Sequence, residues 1–476
     1  MGDCVTTIAM RTMLAARTTL SLSQAVIDQP CRPKQVASFR FIVLTGATLI
    51  ALLLGARMLG NQQAIAGWEA YAIARAVATG HGYSFPGENR RLFDQEDGPD
   101  AVKRGRFFPT AWVDPVYTYA LAAIIRGTGS WHRVAGSCFN LLLFISVVVL
   151  TFECGCRIEG PRVGAVAALL VTVVLCGFSH RWVYELSNTL MAGVAVLTFA
   201  VAAQGLVSNP ALTSQYRLGV TTGFTMLACP GATAFFLVAL LVAFLACWPG
   251  WRSGLRSVIA VACAAILVLM PWAGRNYLVF GEFVPLRTGA GQITFIGVVA
   301  TGATVEPQTL KGGVNPPWRA RSAQDAVAKA QQRDERKALE AFQVPYARAI
   351  DGRRYGALNE AQRDRWFSEE SRQYVARYPV LAAELAFWKI MAFASVTGIF
   401  GVVLMLCATL GGVMAIVRRR LDLFVLAMCI AAFMAPFALV VPYFARYRLP
   451  IEPIVVILAA ATVSELRKSI RTQTTA

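Results

Sequence analysis

Long apolar runs alternate along this chain with short polar stretches that carry arginine. The runs from Phe41 to Leu59, Ala165 to Phe178, Val258 to Trp272, Ile390 to Val417 and Phe424 to Val441 cover all or most of a hydrocarbon core about 30 Å thick. In lipid, each backbone N–H and C=O must be satisfied within its own segment, so such runs are helices. The pattern predicts ten spans, near 40–60, 131–153, 160–180, 187–207, 215–229, 231–248, 255–272, 385–417, 421–441 and 447–465. The span at 215–229 is the weakest, because Pro230 breaks it, and it pairs with its neighbour as one hairpin. The expected fold is an all-α polytopic membrane protein with about ten transmembrane helices.

Charge sets the orientation. The 476 residues carry a net charge of +18, yet only 15% are charged and 56% are hydrophobic. Much of the basic excess lies in short loops between apolar runs, which is the positive-inside pattern of a membrane protein and not a nucleic-acid surface. With a basic N-terminus inside, the inner loops hold Arg157 and Arg162, then Arg217, then Arg252 and Arg256, then Arg418 to Arg420, and finally Arg467, Lys468 and Arg471. Each loop agrees with the others. Residues 1–39 read as a cytoplasmic segment and the first span as an uncleaved anchor. The eleven cysteines lie mostly inside apolar runs, where a thiol behaves as a small hydrophobe.

Two long segments then fall outside, 61–130 within the N-terminal transmembrane region 40–272, and 273–384 before the C-terminal transmembrane region and tail 385–476. In the first, Asp114-Pro115 precedes the stretch Val116 to Ile125, too short to span and read as an interfacial helix. In the second, Ser322 to Phe342 predicts an exposed helix. A further helix starts at Asn359 as N-cap and ends before Pro379, with Trp366, Phe367, Tyr374 and Val375 on one face.

This topology gathers chemistry on the outer side. Trp68-Glu69, Asp114, His180 to Glu185 with Tyr184 among them, Arg275-Asn276-Tyr277 and Tyr443 to Arg448 come from separate helix ends but reach one leaflet boundary. Arginine offers a planar fork for phosphate oxygens, and a carboxylate beside a hydroxyl can act as general base. Arg, Trp and Tyr at helix ends also serve as plain interfacial anchors. The three histidines are too dispersed for a metal cluster, no cofactor motif is present, and dependence on a divalent metal stays open.

Several outer strings resemble a known group. Gly67-Trp68-Glu69-Ala70-Tyr71-Ala72-Ile73-Ala74-Arg75, Gly80-His81-Gly82-Tyr83-Ser84 and Thr110-Ala111-Trp112-Val113-Asp114-Pro115-Val116-Tyr117 resemble the first external loop of bacterial membrane glycosyltransferases of the dolichyl-phosphate-mannose protein mannosyltransferase and aminoarabinose-transferase type, which share the GT-C fold. Pro271-Trp272 through Arg275-Asn276-Tyr277, Gly281 and Phe283 to Arg287 look like the junction after their mid-chain span. Tyr374 to Pro379 with Trp388, and Tyr443 to Pro450, are similar to their last external helix and final loop.

The resemblance implies a GT-C-like fold and transfer of a sugar from a polyprenyl-phosphate-linked donor to a lipid, glycan or protein acceptor at the outer face of the bacterial inner membrane. It also implies a catalytic carboxylate in the first external loop, which by position is Glu69; this chain has a single Glu there, where many relatives have Asp or an acidic pair. Arg275, Arg446 and Arg448 suit the donor phosphate, while Trp112, Tyr117, Tyr184 and Tyr447 suit sugar or lipid contacts. Direct displacement inverts the anomeric centre; Asp114 or Glu185 as a second carboxylate leaves retention open. The competing reading is a non-enzymatic transporter or lipid flippase, which calls for charges or broken helices near mid-bilayer.

Overall fold

The computed structural model describes residues 33–59, 69–86, 107–177, 185–248, 250–306, 315–395, 398–438 and 445–474. The chain is an all-helical membrane protein apart from one two-stranded ribbon among the described residues. Among the described residues, six helices are long and apolar enough to cross a membrane. Exposed Phe41 and Leu53 in α1 (Pro33–Leu59), Leu169 in α5 (Pro161–Gly177), Leu267 in α9 (Trp251–Phe280) and Ile399 and Leu406 in α15 (Gly398–Val417) make an apolar outer surface suited to lipid.

Between these lie α2 (Glu69–Ala78), β1 (Ser84–Pro86), β2 (Phe107–Pro109), α3 (Pro115–Thr128), α4 (His132–Glu159), α6 (Thr189–Ser208), α7 (Leu212–Ala228) and α8 (Phe235–Ala246). The strands pair antiparallel, Phe85 opposite Phe108. After α9 come α10 (Ala290–Val305), α11 (Ala323–Ala330), α12 (Arg333–Ala357), α13 (Glu360–Arg377) and α14 (Pro379–Ala394). The chain closes with α15, α16 (Leu421–Met434), α17 (Ala445–Arg448) and α18 (Glu452–Thr474).

Helix packing explains the weak span. α7 is polar for a membrane helix, but Gly219 and Gly223, one turn apart, let its backbone meet α9: a Cβ at Gly219 would lie 2.5 Å from the Val261 carbonyl oxygen, and one at Gly223 2.7 Å from that of Ala265. Small residues four apart are the usual means of such close approach in lipid.

The expected span at 385–417 is two helices, α14 and α15, separated after Ser395. α14, sixteen residues long, rises about 24 Å at 1.5 Å per residue, and it packs on α11 and α13. Its buried Lys389 donates to the Gly297 carbonyl at 2.6 Å, within a π-helical stretch of α10 at Ile296–Ala300. The single exposed helix expected from Ser322 to Phe342 is also divided. α11 is capped by the Ser322 hydroxyl and buries Ala323, Ala326 and Val327 against Leu381 and Leu385, so it is a cover and not a free helix. By contrast, α13 starts as predicted: Asn359 accepts from Gln362 N at 2.9 Å while Gln362 Oε1 accepts from Asn359 N at 3.0 Å, a reciprocal capping box. Phe367 and Tyr374 are buried, with Trp366 and Val375 beside them.

The basic ends collect on one side. Arg420 pairs with Glu159 at 2.5 Å and Asp422 at 2.6 Å, Lys468 pairs with Glu159, and Arg418 pairs with Glu465. These ion pairs join the ends of α4, α15 and α18, three of the termini that the arginine pattern puts together. The opposite ends carry the first loop, α10 to α14 and α17.

Candidate active site

Glu69 is the first residue of α2, where a carboxylate is favoured by the helix dipole. The indole of Trp112 donates to Glu69 Oε2 at 3.3 Å. Nearby, Tyr71 contacts His132 Nε2 at 2.6 Å, and His132 Nδ1 lies 2.6 Å from the Gly129 carbonyl. A carbonyl can only accept, so Nδ1 carries a proton, and in the neutral ring Nε2 accepts from the Tyr71 hydroxyl. This ties the first turns of α2 to the junction of α3 and α4.

Two residues past Trp112, Asp114 immediately precedes α3 and is 1% exposed. Its Oδ2 accepts from Asn188 Nδ2, at the start of α6. Glu185, 4% exposed, lies three residues earlier, and its backbone carbonyl accepts from Asn140 of α4. Thus Glu69, Trp112, Asp114, Asn188 and Glu185 form one corner, at the helix ends opposite the Arg420–Glu159 cluster. Glu69 is half-buried, and Asp114 and Glu185 are buried.

The other expected contacts are placed differently. Arg275 donates through Nη1 to the Thr110 carbonyl and through Nη2 to the Tyr83 carbonyl, each at 2.7 Å, and it lies over the Tyr83 and Trp272 rings. It clamps the first loop to the end of α9. Arg448, 1% exposed, pairs with Glu452 and donates to the Phe393 and Ala394 carbonyls at 2.9 and 2.7 Å, closing the C-terminus of α14. A guanidinium so engaged has little left for a ligand. Tyr117 is fully buried, with its hydroxyl donating to Asn140 Oδ1 at 3.0 Å, and it packs between α3 and α4. Tyr447 packs against Phe437, ring centroids 5.6 Å apart. Tyr184 and Trp68 lie outside the described residues, and Arg446 is described only as part of the short helix α17.

The structure adds residues that the sequence reading did not single out. Glu360, first residue of α13, accepts from Ala111 N at 3.0 Å and from the Thr288 hydroxyl. Asp364, one turn on, accepts from Gly291 N at 2.7 Å and Gln292 N at 3.2 Å. Thr288 N in turn donates to the Ala111 carbonyl at 3.1 Å. Trp112 lies directly over Gly289, where an added Cβ would come within 2.1 Å of its ring. Burial raises the carboxyl pKa of Glu360 and of Asp364 above their ordinary values, opposed by these hydrogen bonds. Burial also pushes the Tyr83 phenol well up, so it stays protonated and donates to the Val113 carbonyl at 2.8 Å. The one signal in the sequence for Glu360 is its position after the N-cap Asn359.

Arg287 also belongs to this corner. Among the described residues it makes no hydrogen bond or ion pair, and its charge is felt by Asp364 and by the Cys229 thiol, which feels the Asp114 carboxylate as well. It is half-buried. Among the described residues, no three His, Cys, Asp or Glu side chains gather as a metal site.

No protein-family model and no curated protein matches the sequence. Among solved structures, the chain is similar to the oligosaccharyltransferase AglB from Archaeoglobus fulgidus in complex with an inhibitory peptide and a dolichol-phosphate, at 12% identity and a TM-score of 0.48 over 92% of this chain and 51% of that one. It is also similar to ArnT from Cupriavidus metallidurans bound to undecaprenyl phosphate, at 12% identity and a TM-score of 0.37 over 88% of this chain and 77% of that one. The chain therefore spans about half the length of AglB. Likenesses at this level assign no residue a role.

Proposed function

We propose that this protein is a glycosyltransferase that moves a sugar from a polyprenyl-phosphate-linked donor to an envelope lipid, glycan or protein acceptor at the outer face of the bacterial inner membrane. The observation that carries the reading is Glu69, a half-buried carboxylate oriented by the Trp112 indole beside the buried Asp114. The resemblance of the first-loop strings to membrane glycosyltransferases supports it. In the proposed step, Glu69 takes the proton of the acceptor hydroxyl, the acceptor oxygen bonds to the anomeric carbon, and the bond from that carbon to the phosphate oxygen breaks. The bonding pair leaves with the polyprenyl phosphate. Phosphate is a good leaving group, so a base and a cation matter more than a strong general acid. Arg287, half-buried and with no hydrogen bond or ion pair among the described residues, is the cation best suited to the departing phosphate.

Single-turnover transfer by purified protein in lipid tests this. Glu69→Gln keeps the size and removes the charge, and a positioned general base contributes roughly a hundred- to ten-thousand-fold. The expected result is that Glu69→Gln still binds donor and loses transfer on that scale, and that Arg287→Met weakens donor use. Near-normal transfer by Glu69→Gln with collapse in Asp114→Asn or Glu185→Gln would move the base to that residue. Near-normal transfer by all three would end the carboxylate mechanism.

A further inference from the structure

Among the described residues the proposed base accepts one side-chain hydrogen bond, and that contact has its own support. Glu69 receives the Trp112 indole N–H. The backbone around Trp112 is fixed from the opposite side: Trp112 N donates to Thr110 Oγ1 at 3.0 Å, Ala111 N donates to Glu360, and the Ala111 carbonyl accepts from Thr288 N. The ring is seated over Gly289. The segment that carries Gly289 is itself pinned by Asp364, which accepts from the amides of Gly291 and Gln292. All of these partners meet in the first two turns of α13, whose start is defined by the Asn359 capping box.

We propose that Glu360 and Asp364 are positioning residues for Glu69, acting across the site through Thr288, Gly289 and the indole of Trp112. The inference rests on the reading of Glu69 as the base. Its physical content is that α13 carries no reacting group, yet its two carboxylates determine where the Trp112 ring can lie. A carboxyl oxygen that accepts these buried amides holds the loop in place, because a buried donor left without an acceptor is costly. If Glu360 is truncated, Ala111 N and the Thr288 hydroxyl lose their common acceptor, and the Trp112 seat loosens. Misplacing a catalytic group by about 1 Å can cost on the order of 100-fold in rate.

The test uses the full-length protein in lipid nanodiscs, labelled with 5-fluorotryptophan. The Trp112 resonance is assigned among the ten tryptophans by its loss in Trp112→Phe. Glu360→Ala and Asp364→Ala are expected to shift or broaden that resonance and leave the others in place. Glu360→Gln, which keeps an accepting oxygen for Ala111 N, is expected to restore it. In single-turnover transfer, Glu360→Ala should lower the rate constant by roughly 10- to 100-fold with donor KM unchanged. In a Trp112→Phe background it should add no further loss, since the route to Glu69 is already cut. An unmoved Trp112 resonance in both alanine variants, or losses that multiply in the double variant, would overturn the proposal. If Glu69→Gln itself transfers normally, the base assignment falls, and the fluorine spectra still decide whether α13 positions Trp112.

Discussion

Replacing Gly289 by alanine tests the seat of Trp112 directly. Gly289 has φ +92° and ψ −8°, a left-handed conformation that side chains avoid. An L-residue in that region costs about 1–2 kcal/mol. The added methyl would also lie 2.1 Å from Trp112 Cζ3 and 2.3 Å from Cε3, distances at which the ring must move. Forcing extra volume into a packed site typically costs about 1–3 kcal/mol, so the two effects together destabilise by roughly 2–5 kcal/mol. Gly281 separates them. It caps α9 with φ +67°, and nothing lies within 4 Å of a Cβ built there. Gly281→Ala therefore carries the backbone cost alone, about 1–2 kcal/mol. Unfolding of both variants in the same detergent, with single-turnover transfer alongside, measures the difference. Gly289→Ala should be less stable than Gly281→Ala by about 1–3 kcal/mol and should lose transfer on the order of 100-fold, while Gly281→Ala retains it once matched for folded protein. Equal stability and equal transfer in the two variants would refute the placement of Trp112 over Gly289.

Two further outcomes follow from buried charge. Arg448→Met leaves Glu452, 2% exposed, without its partner and should destabilise by about 3–5 kcal/mol, whereas Arg448→Met with Glu452→Met should recover most of the loss; unfolding of single and double variants checks this, and a double variant as unstable as the single one would refute it. Because burial raises the Glu360 pKa, the folded protein holds that proton more tightly than the unfolded chain, so its contribution is complete below the ordinary glutamate value of about 4.3 and is lost as pH rises through the raised value. Wild-type thermal midpoints should therefore fall relative to those of Glu360→Gln as pH rises from about 4 to about 7, and parallel midpoints would show that Glu360 does not titrate differently on folding.

Some of this architecture was readable in the residue order because local physics decides it. Apolar length marks the membrane helices, since lipid leaves the backbone no other partner, and the Asn359 to Gln362 box starts α13 with atoms only three residues apart. The break between α14 and α15 was not legible, because 385–417 is apolar apart from Lys389, Ser395 and two threonines, and what divides it is packing: α14 docks on α11 and α13, and Arg448 closes its last carbonyls from across the chain. The site divides in the same way. Residue type and side of the membrane brought Glu69, Asp114 and Glu185 to one boundary, but the same criteria selected Arg275 and Arg448. An arginine at a helix end looks alike whether it faces a phosphate or a carbonyl; only the tertiary structure shows Arg275 donating to the Thr110 and Tyr83 carbonyls and Arg287 without a hydrogen bond or ion pair among the described residues. Glu360 and Asp364 were hidden for a related reason, since they read as ordinary charges on a soluble helix. Their role depends on contacts 249 and 73 residues away in sequence, and separations of that size leave no local pattern.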